Sequence, residues 1–345
     1  MTNSAGNAAD VDPGLIALFD EVFADYRATH PHADSSTRDT ELWVKAEQLG
    51  VVRLTGSEDS GGSGAGWYEA AELITAAVRH GVRIPLAEHD LLACWLLEAV
   101  GAPVGDAART VALLDADGTA TAVPWASTAE RVVVTWPDGP NQLLADVPAT
   151  DLRITPGTNL IGEPRDGLSV DIGSLTGTTV AAELVEQLRV KSALVRAIQV
   201  CAALDSIVEL AVEHTSARVQ FGRPLSKFQA IQHLISDIAT EAALARAATE
   251  SALMTAVDSD WSAPNLRFVV AVARSCAGHA ASVAVRNGHQ AFGAIGTTAE
   301  HRLHEYTRAA LAWRSEFGSV RHWDDEVTRA ALGAGGDGLW SLIVD

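Results

Sequence analysis

The chain has 345 residues, with 25 Lys+Arg against 44 Asp+Glu, a formal net charge of −19 and 48% hydrophobic residues. That balance is globular, because a disordered chain is poorer in apolar residues. An acidic excess of this size excludes the basic footprint that nucleic-acid binding needs, although a local arginine pocket can still oppose the global sign.

From Pro13 to about Gly101 the spacing is helical. Leu15, Leu18, Phe19, Val22 and Phe23 recur at three and four residues behind Pro13, which suits a first helical turn. A second helix is expected from about Thr40 to Leu49, stopped by Gly50. Ser57–Gly66 reads as a flexible loop, and Trp67–Val78 and Pro85–Val100 resume helical spacing. From about Thr110 the character turns to short β-prone runs: Val111–Leu114, Arg131–Trp136, Asn141–Ala145, Leu152–Thr155, Leu168–Ile172 and Thr178–Val180. Trp136–Pro140 reads as a hairpin connection, so a small antiparallel sheet unit is predicted.

From Ala181 to about Leu332 helices return. One long helix carries Leu194, Ile198, Cys201, Leu204, Val208 and Ala211 on one face, and the Phe221–Pro224 loop ends it. Capping-box patterns at Ser226-x-x-Gln229 and Thr297-x-x-Glu300 mark two further helix starts, and a third helix spans about Pro264 to Phe292. Long helices with short connections imply an antiparallel four-helix bundle. The fold class is therefore mostly α, in three domains: an N-terminal helical domain over 1–108, a small middle β-domain over 109–181 and the bundle over 182–345.

Cys94, Cys201 and Cys276 lie apart in apolar stretches, which suggests buried thiols rather than disulfides or zinc. The start, Met1–Gly6, lacks the pattern of a secretory leader, and Arg274 and His279 interrupt the best candidate for a membrane span. The expectation is a cytoplasmic protein with no membrane partner.

Chemistry concentrates in two stretches. In 218–229, Arg218 stands at a helix end, a Phe221-Gly222 corner follows, and a new helix opens near Gln229. Such a group can hold a pyrophosphate by charge and free N–H donors while an aromatic stacks on adenine. The same residues also suit a purely structural reading, with Arg218 at a helix C-terminus and Phe221 and Phe228 as core. In Gln290–Gly296, Gly293 and Gly296 allow close backbone approach, and the lack of a preceding strand excludes a dinucleotide-binding βαβ fingerprint. His301 and His304 can share a helix face, but no acidic or cysteine partner has metal-ligand spacing, so no metal site is expected.

R-x-x-F-G-x-P-L-x-x-F-Q at 218–229, Q-x-F-G-x-x-G-T-T-x-E-H-x-L-x-x-Y-x-R at 290–308 and the glycine segment within 49–66 together resemble the acyl-CoA dehydrogenase family, and the resemblance spans nearly the whole chain in order. It implies an α/β/α plan and FAD as cofactor. It also implies that Arg218 meets the FAD pyrophosphate and Phe221 packs near the adenine. Leu225, Phe228 and Gln229 would line the same groove, with Gln290 and Gly293 approaching from the next helix. The family's second glycine after Gln-x-x is Ala294 here.

Other departures point to a missing half. The family's flavin-facing T-E-P-x-A-G-S-D loop is absent from 105–180. Its general base is a glutamate at one of two places. One is the Y-E-G-T context, where Glu316 stands one residue out of register and Phe317 takes the expected position; the other, on the long helix, holds Lys191-Ser192. The pattern is similar to the short, non-base subunits of α2β2 acyl-CoA dehydrogenases of steroid side-chain catabolism. That resemblance implies a longer partner subunit supplying the base, an acyl-CoA substrate and electron-transfer flavoprotein as acceptor. Two alternatives stay open: a self-sufficient homo-oligomer with Glu316 as base, and a flavin-free structural or regulatory homologue.

Overall fold

The computed structural model describes residues 11–31 and 36–344; the Met1–Gly6 start lies outside them. Contacts divide the chain into two compact units, 11–192 and 193 onward.

In the first unit, α1 (Pro13–Thr29) starts where Asp12 accepts from the Gly14 N–H. Asp39 caps α2 (Thr40–Gln48) by accepting from the Leu42 N–H, and its second oxygen accepts from the Tyr26 hydroxyl at 3.0 Å, fastening α1 to α2. Gly50, at φ +72°, ends α2 as its position predicts. α3 runs Trp67–Arg79.

The glycine-rich segment before α3 is not the flexible loop its composition suggests. Arg53 sits inside it, donating to the Ser60 carbonyl and hydroxyl and to Glu98, while Thr55 donates twice to Asp90. The Ser63, Gly64 and Ala65 N–H groups donate back to Arg53, Gly56 and Leu54. Gly62 lies so close to Gly56 that a Cβ there would stand 2.1 Å from the Gly56 oxygen. Here glycine is a packing requirement rather than a source of motion.

The helix expected over Pro85–Val100 also differs. Residues Glu88–Cys94 wind as a π-helix, followed by α4 (Trp95–Ala99). The wider turn buries three consecutive polar side chains, Glu88, His89 and Asp90. His89 Nδ1 accepts the Arg109 N–H at 3.0 Å, and Nε2 lies 3.5 Å from Cys94 Sγ. Burial and nearby arginines push His89 down to about 3, and burial lifts Asp90 to about 6 and Cys94 to about 12.

The β-region is two sheets rather than one antiparallel unit. β1 (Arg109–Leu113), β3 (Arg131–Asp138), β4 (Asn141–Pro148) and β7 (Thr178–Val180) form one, in the order β1-β3-β4-β7. β2 (Thr119–Pro124), β6 (Arg165–Ser169) and β5 (Arg153–Thr155) form the other, in the order β2-β6-β5. β1 and β3 are parallel, Val111 opposite Val133, because the chain leaves the first sheet to make β2 in the second and returns in the same direction. β2, T-A-T-A-V-P, alternates β-branched residues with small alanines instead of large apolar side chains and ends on a proline, so its sequence carries no strong strand signal. The hairpin turn is only Gly139-Pro140, since β3 runs through Asp138. Ala112, Leu114, Val123, Val132, Val134, Trp136, Val147 and Leu168 share one core.

α5 (Ala182–Ala217) continues into the second unit, which holds α6 (Gln229–Asp258), α7 (Leu266–Phe292), α8 (Leu303–Trp313) and α9 (Val320–Val344). Asp205 pairs with Arg246 and Cys201 meets Thr249, so α5 and α6 run antiparallel. Asn287 near the end of α7 reaches Asp237 near the start of α6 across a short connection, and Arg267 pairs with Glu326 while Ser275 donates to Asp324, so α6–α7 and α7–α9 are antiparallel too. The expected fourth helix is split in two by a turn at Arg314–Ser319, and α9 runs past Leu332, interrupted at Gly335 (φ +66°). Residues 266–297 are long and apolar enough to cross a membrane by length and composition, but half of their most apolar 18-residue stretch is buried inside the protein, as in a core helix. Cys94 and Cys201 are buried and Cys276 only partly so.

Neither capping box forms. Ser226 lies in a tight turn, Leu225–Lys227, and Phe228 takes the N-cap position of α6 without a side-chain bond. Thr297 Oγ1 donates to the Ala294 carbonyl, and His301 Nδ1 accepts the Leu303 N–H where α8 begins.

Gly62→Ala should lower the unfolding free energy by about 1–3 kcal/mol or more through overpacking, whereas Gly105→Ala, which meets nothing within 4 Å, should be near neutral in the same denaturant titration. The π-helix predicts opposed pH effects. His89, depressed in the folded state, contributes stability above its ordinary range that is lost as pH falls towards 3. Asp90, raised when folded, contributes stability at low pH that is lost as pH rises through about 6. Asp90→Asn removes only the second effect. The variant should therefore lose stability on acidification from pH 7 to pH 4 more steeply than the parent chain, and parallel curves would refute the assignment.

Candidate functional site

At one end of the bundle, α5 closes into a two-residue hairpin formed by β8 (Val219–Gln220) and β9 (Arg223–Pro224). The Leu225 N–H donates to the Arg218 carbonyl at 2.9 Å, fastening its base. The tip residues Phe221 and Gly222 both have positive φ, +52° and +78°. Paired positive φ values are the signature of a type I′ turn, a tight and rigid one, where Asn-Gly is the comfortable sequence. The corner is therefore stiff, and a phenylalanine is held in a strained conformation with 90% of its surface exposed. Strain combined with an exposed aromatic points to a surface that receives something.

Arg218, Arg223 and Lys227 are exposed around this tip, three cations on a chain of net charge −19. The Arg223 guanidinium lies 4.1 Å over the Phe228 ring, which meets Phe221 edge-on at 6.2 Å. Leu225 and Phe228 are half-buried behind the tip, and Gln229 is exposed at the start of α6.

α7 ends at the same place. Gln290 is exposed in its last turn; Gly293 follows with φ +63° and ψ −145°, and a Cβ there would meet nothing within 4 Å. Gly296 differs, because a Cβ there would stand 2.8 Å from Phe292 and 2.9 Å from Leu303. The first glycine leaves open space for an approaching molecule; the second is dictated by packing. Phe292 stacks on His214 of α5 at 4.1 Å and 15°, and meets His301 at 4.5 Å. This ring stack joins the two sequence motifs. Burial holds His214, His289 and His301 below the usual histidine range, helped by Arg218 and His301 beside His214 and by His304 beside His289. Taken together, the corner offers exposed guanidinium groups, a helix start, an open glycine and a bare aromatic face, donors suited to a phosphate and a flat ring.

The base positions look different. Arg196, fully buried on α5, donates through Nε to Glu316 Oε2 at 2.7 Å, and its guanidinium lies 5.0 Å from the Phe317 ring. Arg274, buried on α7, donates to the carbonyls of Glu316 at 2.7 Å, Arg314 at 3.1 Å and Gly318 at 3.2 Å. Two buried cations thus organise the turn after α8, and the Glu316 carboxylate is the counter-ion of one of them. In the first unit, Lys191 is buried with its ammonium 4.8 Å from the Trp67 ring and 4.4 Å from the Trp95 ring, and the Ser192 hydroxyl donates to its own helix at Leu188. β1 and β2 are joined by a tight turn in which Asp115 accepts from Asp117 and Thr119, with no longer loop between these strands.

Residues 176–331 match the family described as acyl-CoA dehydrogenase, C-terminal domain. Over 285 residues the chain is 28% identical to acyl-CoA dehydrogenase IpdE2 of Mycobacterium tuberculosis, covering 79% of this chain and 80% of that one. These matches give residues 176–331 the pattern of that C-terminal domain. The chain is similar to acyl-CoA dehydrogenases over most of its length. It is also 27% identical to acyl-CoA dehydrogenase FadE34 of the same organism over 81% of its own length, and spans 40% of that longer relative. Among solved structures, a Tcur3481-Tcur3483 steroid ACAD variant has a TM-score of 0.80 at 21% identity, covering 94% of this chain and 98% of that chain, which shows the same fold. Acyl-CoA dehydrogenases are FAD-dependent, and the corner fits that group: a Cβ at Gly293 would meet nothing within 4 Å, and the exposed arginines and Phe221 are of the chemistry that would meet a pyrophosphate and an adenine.

Sequence reasoning did not find Arg196, Arg274 or the His214–Phe292–His301 stack. Arginines in the middle of apolar helical runs are the signal that marks the first two, since an unpaired buried charge is not tolerated.

Glu316→Ala should cost about 3–5 kcal/mol of unfolding free energy by stranding the buried Arg196 charge. The double change Arg196→Met with Glu316→Leu should recover most of that loss, and equal losses for the single and double variants in denaturant titration would contradict the ion-pair role.

Proposed function

We propose that this chain is the non-base subunit of a heteromeric FAD-dependent acyl-CoA dehydrogenase, holding the ADP half of a cofactor whose flavin half lies in a longer partner subunit. The observation that carries the reading is the occupation of Glu316 by the buried Arg196 at 2.7 Å. The nearest carboxylate to the family's base position is a structural counter-ion, while the pyrophosphate corner remains exposed.

In α,β-dehydrogenation a carboxylate takes the α-proton while the β-hydrogen leaves as hydride, for which bound FAD is the acceptor. In this chain Arg218 would hold the pyrophosphate, Phe221 the adenine side, and Leu225, Phe228 and Gln229 the groove wall. Gln290 and the open Gly293 would meet the cofactor from α7. Proton removal falls to the partner's carboxylate. The substrate we propose is a bulky acyl-CoA, a steroid side-chain thioester, and the electron acceptor electron-transfer flavoprotein. The fold shared with a steroid ACAD variant supports the steroid class, and the 28% identity to acyl-CoA dehydrogenase IpdE2 supports an acyl-CoA substrate. Cytoplasmic location and an α2β2 assembly belong to the same proposal.

Two variants test it in the co-expressed complex. Arg218→Ala removes a charge-assisted bond worth about 1.5–3 kcal/mol and should weaken flavin retention at least tenfold. Turnover by the Arg196→Met/Glu316→Leu double variant should stay within a few-fold of the parent. Its abolition, with the fold intact, would instead make Glu316 the base of a self-sufficient enzyme.

A further inference from the structure

Phe292 is the last residue of α7, two positions after Gln290 and one before the open Gly293. Its ring is buried. On one face lies His214, stacked nearly parallel at 4.1 Å, and against its edge lies His301 at 4.5 Å. His214 stands one helical turn before Arg218, and the Arg218 N–H donates to the His214 carbonyl at 2.8 Å. A single aromatic contact therefore links the end of α5, which presents Arg218 and Phe221, to the end of α7, which presents Gln290 and Gly293. The two ends reach the same place from different helices, with no covalent connection shorter than the intervening helices.

We propose that His214, through its stack on Phe292, is a positioning residue that sets Arg218 and the Gln290–Gly293 turn at the spacing an adenine nucleotide diphosphate requires. This inference rests on the cofactor reading above. The supporting contacts agree with it. His301 is fixed by accepting the Leu303 N–H at 3.1 Å, and His304 Nδ1 contacts the His301 carbonyl at 2.8 Å, so the edge-on partner cannot swing away. Gly296 admits no side chain because Phe292 and Leu303 already fill its space. His214 is held below the usual histidine range, chiefly by burial, so the stack is between neutral rings at neutral pH. Rigid placement matters because a bidentate grip on a pyrophosphate loses affinity when its two halves move independently.

The test titrates ADP alone into the full chain by calorimetry, with melting temperature recorded for each variant. His214→Ala should weaken ADP at least fivefold, and His214→Phe, which keeps an aromatic ring on Phe292 but no polar atom, should restore affinity to within twofold. Arg218→Ala serves as the control on the cofactor reading and should weaken ADP by tenfold or more. If Arg218→Ala weakens ADP and His214→Ala leaves it within twofold, the positioning role is wrong and the cofactor site stands. If His214→Phe binds as poorly as His214→Ala, the imidazole acts by a polar contact and the stack is not the device. If the parent chain does not bind ADP, or Arg218→Ala has no effect, the cofactor reading falls and this inference with it.

Discussion

The buried guanidinium of Arg196 is the constraint on which the functional reading depends. A charge on the apolar face of α5 costs several kcal/mol in desolvation unless a carboxylate and further acceptors meet it. Glu316 meets it at 2.7 Å, and the turn that carries Glu316 is drawn in further by Arg274, whose guanidinium collects the carbonyls that end α8. Once both cations are buried, the Arg314–Ser319 segment has a structural duty. Its carboxylate balances a charge, and Phe317, at φ +52°, packs beside that charge. A segment that supplies a base elsewhere in the family here stabilises the bundle.

The same helix carries the opposite commitment at its other end. From Arg196 to Arg218 α5 rises about 33 Å at the standard helical pitch. At that end Arg218, Arg223 and Lys227 are exposed, and the hairpin holds Phe221 out in a strained turn. Cations buried against a carboxylate and backbone carbonyls at one site, and exposed around an open glycine at the other, are what separate a structural cluster from a binding one. The proposal rests on this contrast: an exposed corner that would grip a dinucleotide, and a Glu316 carboxylate already engaged by Arg196.

Much of this was legible in the sequence where local rules act. Gly50 ends α2, the apolar spacing fixes α1 and α7, and the two cofactor motifs fall at helix ends as their glycines and prolines require. Tertiary constraints decided the rest. The glycine segment after α2 reads as flexible, yet Arg53, Asp90 and Glu98 gather it into a bonded loop, and those partners are distant in sequence. Ser226 and Thr297 have the spacing of capping boxes, but a tight turn and the His301 imidazole take those helix starts instead. The parallel β1–β3 pair depends on a crossover through β2, a strand too rich in alanine to announce itself. Phe221-Gly222 looked like a loop because the stiffness of a type I′ turn comes from pairing of the flanking residues, which composition does not reveal.

The central claim is that this chain holds half of a shared flavin site. The most direct measurement is the flavin-to-protein ratio, taken from the visible spectrum of the chain purified alone and again after co-expression with a longer acyl-CoA dehydrogenase subunit. The account predicts little or no flavin on the lone chain and stoichiometric flavin on the complex. Stoichiometric FAD on the lone chain would contradict it.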